Sequence, residues 1–408
     1  MMCKIAIMGF GTIGSGVLET LTMNKKAITG RVGDNIEVKY ILDIRDFSGT
    51  PIEHMVVNDY KKIAEDPEIK VVVETMGGVE PANTFVRAML EKGKSVCTSN
   101  KALVAACGPQ LMELAYENHC NFLFGASVAG GIPIIRPLQS CLTADVITEI
   151  TGILNGTTNY ILTKMHEEGC NYESALKEAQ ALGYAERDPS ADVGGGDTGR
   201  KIAILSSIVM NKKVVFEDIH LEGITEITLE DFRYADALGR SIKLLGRSLL
   251  PDDPSDTELS AYVAPHLIRR ESPLYGIEDV FNGVVVVGNT ADRLMFYGRG
   301  AGKLPTASAV VADVVEAARL ADQAKAPLWG EDAAIVRDYL DYAMSYLVRI
   351  SGETLSDRAK ECLKAEEVIT GIVPGEIAVL TAPISGRELL AAKEELGNVI
   401  ASIRIYEE

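Results

Sequence analysis

The sequence predicts an α/β protein with more than one domain, and three observations support this. In residues 1–150, short apolar runs alternate with segments of helical periodicity, which is typical of a parallel sheet with crossover helices. After residue 150 the pattern changes to a strand, a polar turn and an acid-rich irregular stretch. Residues 340–408 have the order β-α-β-β-α-β. The length of 408 residues fits about two or three domains.

The composition is that of a globular protein with a sizeable core, because 47% of the residues are apolar and 24% are charged. A net charge of -18 argues against nucleic acid and anionic membranes as partners. Seven cysteines without C-x-x-C spacing indicate free thiols in a reducing compartment. With no signal peptide and no apolar run of about 20 residues, we expect a cytoplasmic protein.

The first motif is an apolar strand at residues 4–8, a glycine turn and a helix from about residue 13. In such a turn the first glycine bends the chain, the second admits a pyrophosphate and the third lets helix and strand approach. The helix N-terminus then faces the phosphates. Because strand, turn and helix follow in this order, we predict a dinucleotide site at Gly9, Phe10, Gly11, Thr12, Ile13 and Gly14.

The second strand lies within residues 36–46 and should end near the adenosine ribose. At that place an acid holds the 2'-hydroxyl of NAD, whereas a basic residue accommodates the 2'-phosphate of NADP. The sequence offers Asp43 or Asp46 for the first role and Arg45 for the second. The choice between NAD and NADP therefore stays open.

The third and fourth strands end in turns at the carboxyl edge of the sheet, where ligands of this kind of fold bind. The third, within residues 69–80, is apolar as a strand buried on both faces should be, and it leads to Thr75 and two glycines. The fourth leads to Ser99, Asn100 and Lys101 before a helix that starts near Ala102. We therefore expect Lys101 beside the cofactor rather than on an unrelated surface.

The middle of the chain carries two further signals. A strand runs into the polar turn Asn155-Gly156-Thr157-Thr158-Asn159, whose side chains either cap the next helix or bind a polar ligand. Further on, a helix ends at Gly183, acids and three glycines follow, and a helix opens near Asp197. We expect the glycine run to let the chain double back, so that Glu186 approaches the start of that helix.

Asp197 and Lys201 lie one helical turn apart on the same face. A capped helix with a solvated ion pair is the simplest interpretation, but an apolar run at residues 202–205 indicates partly apolar surroundings. Acids that keep a lysine charged and oriented make it a candidate proton donor. Carbonyl reduction by hydride transfer needs such a donor, so the substrate would be a small, charged carbonyl compound or alcohol.

These segments closely resemble homoserine dehydrogenase, in the right order over about residues 1–325. The resemblance rests on residues 9–14, 99–103, 126–133, 155–161 and 183–186, on Asp188-Pro189, Asp192, Asp197 and Lys201, and on residues 300–302 and 305–310. It implies reversible, NAD(P)-dependent interconversion of L-aspartate 4-semialdehyde and L-homoserine. Because no aspartokinase segment precedes the glycine turn, we expect the monofunctional form.

The resemblance also implies roles for single residues. Lys201 matches the proton-transfer lysine, Lys101 a second lysine near nicotinamide and substrate, and Asp197 a catalytic and substrate-binding acid. The implied substrate residues are Glu186, Asp192, Asp197, Lys101, Thr157 and Tyr184. The implied cofactor residues are Gly9, Phe10, Gly11, Thr12, Ile13, Gly14, Arg45, Asp46, Thr75, Lys101, Gly183, Glu186 and Gly302.

A sodium ion is a further implication of the resemblance. The family binds it through backbone carbonyls, here those of Val128, Gly130 and Ile132. Many members have a glutamate just before this stretch, where this chain has Gly125. Loss of a carboxylate ligand would weaken the site, so its occupancy stays open.

The predicted domains are a Rossmann nucleotide-binding domain at residues 1–150 with about 300–330, an inserted α+β substrate and dimerisation domain at 151–299, and a ferredoxin-like module at 340–408. The last resembles ACT modules, but Ser351-Gly352-Glu353 replaces the usual acidic, glycine-rich turn. Threonine binding and dimer formation are both open roles for it. We expect a homodimer or a higher homo-oligomer that acts on a small molecule.

Two other functions compete with this one. Aspartate-semialdehyde dehydrogenase shares the substrate but needs a cysteine nucleophile with a histidine base, and none of the five histidines lies in a motif beside a cysteine. A nucleotide-sensing regulator without catalysis would not need the acid and lysine set. Both alternatives are therefore less favoured.

Overall fold

The computed structural model describes residues 3–320 and 323–407, and the chain divides into two compact units. The first comprises Met1–Asp145, Ala203–Val215 and Gly298–Ala334. The second comprises Val146–Ile202, Phe216–Tyr297 and Ile335–Glu408, so the carboxyl-terminal segment shares a unit with the middle of the chain. This division into two units does not test the three predicted domain ranges, which stay a prediction.

The first unit contains a parallel sheet with the strand order β3-β2-β1-β4-β5-β6. The strands are β1 Cys3–Met8, β2 Ile36–Leu42, β3 Val56–Val57, β4 Ile69–Glu74, β5 Ser95–Thr98 and β6 Phe122–Leu123. The helices are α1 Thr12–Met23, α2 Lys25–Val32, α3 Lys61–Glu65, α4 Ala82–Leu90 and α5 Lys101–Glu117. This order is that of a dinucleotide-binding Rossmann sheet, and the predicted fold class is confirmed.

The core of the first unit lies on this sheet. Ile5 and Ile7 of the central strand are fully buried, because helices cover both faces of a parallel sheet. The helix Lys303–Leu320 contributes Val310 and Val314 to the same core. It approaches α1 closely at Gly16, where an added Cβ would lie 2.9 Å from the Lys303 carbonyl oxygen. A late segment of the chain thus completes the first unit, as the sequence predicts.

The middle of the chain supplies longer strands and the helices that bear the predicted acids. Its elements are β7 Ile147–Ile153, α6 Gly156–Glu168, α7 Tyr172–Ala181, α8 Ser190–Val193, α9 Gly196–Met210, β8 His220–Leu221, α10 Leu229–Ala237, β9 Arg240–Leu249, β10 Glu258–Arg269, β11 Phe281–Gly288, β12 Asp292–Arg299 and α11 Lys303–Leu320. Short 3-10 or π turns lie at Glu53–Met55, Pro137–Cys141, Phe216–Asp218 and Tyr339–Asp341.

The carboxyl-terminal segment has the predicted β-α-β-β-α-β order. It consists of β13 Ile335–Val336, β14 Ala343–Met344, β15 Tyr346–Ser351, α12 Asp357–Cys362, β16 Ala365–Ile369, β17 Glu376–Thr381, β18 Ile384–Ser385, α13 Gly386–Leu396 and β19 Val399–Tyr406. Strand β16 ends at Ile369, and Gly371 adopts a φ of 78° in the turn that follows. Residue 408, the last of the predicted module, lies outside the described residues.

One sheet joins the middle and carboxyl-terminal segments of the second unit. Its order is β12-β11-β7-β9-β10-β19-β15-β17-β16, and β19 pairs with β10 in parallel. The carboxyl-terminal module therefore extends the central sheet rather than forming a separate body. Its threonine-binding and dimer-forming roles stay predictions. Within the described part of the chain, no helix has the length and apolar character needed to cross a membrane.

Candidate active site

The glycine turn after β1 has the geometry that a dinucleotide needs. Gly9 has a φ of 89°, and its carbonyl accepts a 2.7 Å hydrogen bond from the Thr75 hydroxyl. An added Cβ at Gly14 would lie 2.1 Å from the Gly9 carbonyl oxygen, so only glycine fits there. At Gly11 an added Cβ would meet no atom within 4 Å. The turn is thus closely packed at Gly9 and Gly14 and has open space at Gly11, where a pyrophosphate would approach.

The end of β2 is organised by Asp43. Its carboxylate accepts a 2.8 Å hydrogen bond from the Phe10 N–H and bonds of 2.9 and 2.8 Å from the Arg45 guanidinium, which lowers the pKa of Asp43. Asp46 accepts instead from the Ser48 N–H and hydroxyl. Asp43 therefore links the glycine turn to Arg45, whose side chain stays largely exposed.

A buried carboxylate connects the next two turns of the first unit. Glu74 accepts hydrogen bonds of 2.7 Å from the Met76 N–H and 2.6 Å from the Thr98 hydroxyl. Burial raises the pKa of Glu74, while these donors oppose the rise. The sequence analysis did not assign a role to Glu74, although an acid at the end of an apolar strand was a visible signal.

Lys101 is the first residue of α5, and Asn100 caps that helix. The Asn100 side chain accepts from the Leu103 N–H at 3.1 Å and donates to the Gly78 carbonyl at 2.6 Å. The helix thus begins one residue earlier than predicted, and the turns after β4 and β5 are held together. The expected proximity of Lys101 to nicotinamide and substrate stays a prediction.

Gly125, where many members of the resembling family have a glutamate, lies beside the carboxylate of Asp313. The Gly125 N–H donates to Asp313 at 2.8 Å, and an added Cβ at Gly125 would lie 2.7 Å from an Asp313 carboxylate oxygen. Asp313 also accepts a 2.7 Å bond from Arg136, yet burial dominates and raises the pKa of Asp313 to about 6. A glutamate at residue 125 does not fit this arrangement.

The proposed sodium stretch offers carbonyls rather than carboxylates. The Ile132 carbonyl accepts from the Ile134 N–H at 2.9 Å, whereas no described residue donates to the Val128 or Gly130 carbonyl. Gly130 has a φ of 49°, and an added Cβ would lie 2.4 Å from the Gly300 carbonyl oxygen. No cluster of three or more His, Cys, Asp or Glu suited to a metal occurs in residues 3–320 and 323–407. The sodium ion on the Val128, Gly130 and Ile132 carbonyls stays a prediction.

The second unit brings the predicted lysine and two of its acids together. Lys201 donates 2.6 Å hydrogen bonds to Asp197 and to the Leu154 carbonyl at the end of β7. Asp197 is 3% exposed and Lys201 8% exposed. The i,i+4 pair on α9 is therefore buried, and the interpretation as a solvated ion pair is wrong.

Asn155 completes this cluster, and sequence reasoning missed it. Its side-chain nitrogen donates to Asp192 at 2.7 Å and to Asp197 at 2.9 Å. Its side-chain oxygen accepts from the Thr158 N–H at 2.8 Å and so caps α6. Of the two roles left open for the polar turn, the capping role is present, and the same residue also contacts both acids.

Among the described residues, Glu186 makes no hydrogen bond to the cluster, and its expected approach to the start of α9 stays a prediction. Its side chain is exposed, and the carboxylate contacts no partner among the described residues. The turn at Gly195, with a φ of 85°, links α8 to α9 and leaves Glu186 on the far side of α8 in sequence. Part of the stretch expected to be irregular is therefore helical.

The remaining predicted substrate residues lie near the start of α6. The Thr157 hydroxyl donates to the Tyr184 carbonyl at 2.6 Å, and Tyr184 packs edge-on against Tyr160. Gly183, with a φ of 75°, ends α7 as predicted. In the first unit Gly302 has a φ of 118° and precedes α11.

The glycine turn of a Rossmann sheet and a buried acid–lysine cluster are the parts of a nicotinamide-dependent oxidoreductase. Residues 9–125 match the NAD-binding domain of homoserine dehydrogenase, and residues 133–315 match the homoserine dehydrogenase family. The chain belongs to the homoserine dehydrogenase family.

Relatives and solved structures agree with this assignment. The homoserine dehydrogenase of Mycobacterium tuberculosis is 43% identical over 318 residues, which cover 77% of this chain and 72% of that protein. The crystal structure of a homoserine dehydrogenase from Thiobacillus denitrificans matches with a TM-score of 0.91 at 32% identity, covering 100% of this chain and 99% of the other. A hyperthermophilic archaeal homoserine dehydrogenase mutant in complex with NADPH matches with a TM-score of 0.66 at 28% identity, over 78% of this chain and 98% of its own.

The chain is thus an NAD(P)-dependent oxidoreductase that interconverts L-aspartate 4-semialdehyde and L-homoserine. This is the function predicted from the sequence. The two alternatives, aspartate-semialdehyde dehydrogenase and a non-catalytic regulator, are set aside.

Proposed function

We propose that Lys201 exchanges the proton with the substrate oxygen as the alcohol and the aldehyde interconvert. An ammonium group has three N–H donors, and those of Lys201 reach Asp197 and the Leu154 carbonyl, both at 2.6 Å. One donor remains for the substrate oxygen. When bound, NAD(P) accepts or supplies the hydride. The buried pair Asp197–Lys201 is the observation that carries this proposal.

The charge of the cluster favours a substrate with an amino group. Asp192 and Asp197 are two carboxylates, and Lys201 is the cation that contacts them through Asp197. A carboxylate attracts the substrate ammonium, and Asp192, the more exposed of the two acids, is the better placed to bind it. Thr157 and Tyr184 border the same site, and Glu186 is an exposed acid that can join when substrate binds.

The first unit supplies the cofactor site in this proposal. Gly9, Gly11 and Gly14 shape the turn for the pyrophosphate. Asp43 already accepts from Phe10 and Arg45, so a 2'-phosphate on the exposed Arg45 is the favoured contact at the ribose, and we expect NADP to be preferred. The other assigned positions, from Phe10 to Gly302, keep their proposed role of lining this site.

We also propose a cytoplasmic homo-oligomer. The seven cysteines are free, which suits a reducing compartment. Strand β12 is the last strand at one end of the sheet of the second unit, and an edge strand is a place where a second copy can pair. Light scattering on purified protein measures the oligomeric state, and a monomer at all concentrations would contradict this part.

The role of Lys201 is tested by Lys201→Ala, with L-homoserine and either NADP or NAD as substrates. Loss of a general acid–base group lowers kcat by roughly 10²- to 10⁴-fold. The dissociation constant of NADPH, measured by its fluorescence, should stay within about two-fold of wild type, because cofactor contacts are assigned elsewhere. A variant with normal kcat would contradict the proposal.

A further inference from the structure

The junction between β7 and α6 contacts both members of the buried ion pair. The Leu154 carbonyl accepts from Lys201 at 2.6 Å, and the Asn155 amide donates to Asp197 at 2.9 Å. The same Asn155 nitrogen donates to Asp192 at 2.7 Å. Two consecutive residues thus hold the cation and both acids, although they lie 37 to 47 residues away in sequence.

The Asn155 amide uses its full hydrogen-bonding capacity. The oxygen accepts from the Thr158 N–H at 2.8 Å and from the Thr158 hydroxyl at 3.1 Å, and the nitrogen makes its two donations to the acids. Exchange of oxygen and nitrogen would set an oxygen against two carboxylates and an amino group against an N–H. The partners therefore fix the orientation of the amide.

The burial of this group makes its donors important. Asn155 is 5% exposed, so water does not readily replace its hydrogen bonds. Two carboxylates that share one nitrogen repel each other, and the shared donor favours the charged form of both. A capping residue alone would need only the oxygen, which serine or aspartate also provides.

We propose that Asn155 is a positioning residue, which holds Asp192 and Asp197 in the arrangement that Lys201 and the substrate ammonium require. This inference rests on the proposed role of Lys201. Asn155 acts through Asp197, which contacts the lysine, and through Asp192, the acid proposed to bind the substrate ammonium. Because Asn155 caps α6 and also donates to both acids, it links the start of that helix to the proposed reacting groups.

The first test is Asn155→Ser, which keeps a helix cap and removes the two donors. We expect kcat to fall roughly 10- to 100-fold, the size of a lost hydrogen bond to a charged group. The low-pH limb of the kcat/KM profile should move to higher pH, because each carboxylate loses a donor that favours its charged form. The dissociation constant of NADPH should not change.

Asn171→Ser is the matched control. Asn171 caps α7 by accepting from the Ser174 N–H at 3.0 Å, and it is exposed. The two serine variants should lose similar thermal stability if capping is equal in both, but only Asn155→Ser should change kcat and the pH profile. If the two variants have the same kcat and pH profile, Asn155 is a cap only and the inference is overturned.

A second variant, Asn155→Asp, keeps the inference testable if the serine variant folds poorly. Its carboxylate keeps the cap but repels the two acids, whereas its protonated form regains one donor. The kcat of Asn155→Asp divided by the kcat of Asn155→Ser should therefore rise as the pH is lowered. If Asn155→Ser does not fold, the wild-type kcat takes its place in this ratio. A ratio independent of pH would overturn the inference. Lys201→Ala separates the two claims. A wild-type kcat in Lys201→Ala would contradict the proposed function. A low kcat in Lys201→Ala together with wild-type kcat in the Asn155 variants would contradict only this inference.

Discussion

Each unit of the enzyme contains a buried carboxylate paired with a cation, but the two pairs have different surroundings. In the first unit Asp313, 2% exposed, binds Arg136 and the Gly125 N–H. In the second, Asp197 binds Lys201 and the Asn155 amide. Arg136 also pairs with Glu316, so its charge is matched by acids of the protein.

The difference teaches how a structural pair can be told from a catalytic one. Asp313 is bonded to Gly125 and Arg136, which are distant from it in sequence, and its carboxylate occupies space that a side chain at Gly125 would need. At Asp197 a second acid is held on the same amide, and Lys201 keeps a donor for another molecule. Burial alone does not separate the two pairs, whereas the proposed proton transfer by Lys201 would, and the predictions below test that difference.

Asp197→Asn should have the largest effect of the changes that probe this comparison. It removes the charge that orients Lys201, so kcat should fall about 10³-fold, within the range for general acid–base groups. Asp313→Asn is the matched control and should keep kcat within about three-fold. Steady-state kinetics with L-homoserine measure both. Equal losses of kcat would remove the distinction between the pairs.

Arg136→Ala should affect stability rather than turnover. It leaves the Asp313 carboxylate buried without its cation, which costs about 3 kcal/mol in the free energy of unfolding. Urea unfolding measures this loss, and the control is Arg358→Ala, whose exposed ion pair with Glu395 should contribute much less to stability. A loss no larger than that of the control would show that the Asp313 pair is not a structural link.

The pH dependence of stability should reveal Asp313. Its folded pKa of about 6 lies above the ordinary value of 3.8, so the folded chain binds the proton more tightly. The stabilisation is therefore present below about pH 4 and is lost as the pH rises through 6, by about 2 kcal/mol between pH 4.5 and 7. The difference between wild type and Asp313→Asn isolates this contribution. A difference independent of pH would contradict it.

Arg45→Ala should have the smallest effect, on cofactor choice alone. Loss of one contact to a 2'-phosphate should lower the ratio of kcat/KM for NADP to that for NAD by about ten-fold. The ratio is its own control, because damage to the fold would affect both cofactors. An unchanged ratio would leave Asp46 or another group as the determinant.

Local signals predicted much of the fold and part of the site. The glycine turn at Gly9 to Gly14 and the i,i+4 pair of Asp197 and Lys201 are short-range patterns, and both have the predicted local geometry. Helix α13 has local signals at both ends, the capping box of Ser385 and Glu388 and the left-handed Gly397.

The missed contacts are long-range. Asp43 meets the Phe10 N–H across 33 residues, Asn155 meets Asp197 across 42, and Arg136 meets Asp313 across 177. No periodicity or spacing encodes such pairs, because strand order and helix packing bring them together. The position of Glu186 cannot be predicted from its sequence neighbours either, since a flexible glycine run permits many paths and does not select one.

The central claim is that Asp197 and Lys201 act as one catalytic unit, and a double-mutant cycle on the single-turnover rate of hydride transfer tests it most directly. Groups that act as a unit lose their effect together, so the variant carrying both Asp197→Asn and Lys201→Met should be about as slow as the slower single variant. The cycle of Asp313→Asn and Arg136→Met should leave this rate near wild type. If the two losses at Asp197 and Lys201 multiplied, or if Lys201→Met kept the wild-type rate, the claim would be contradicted.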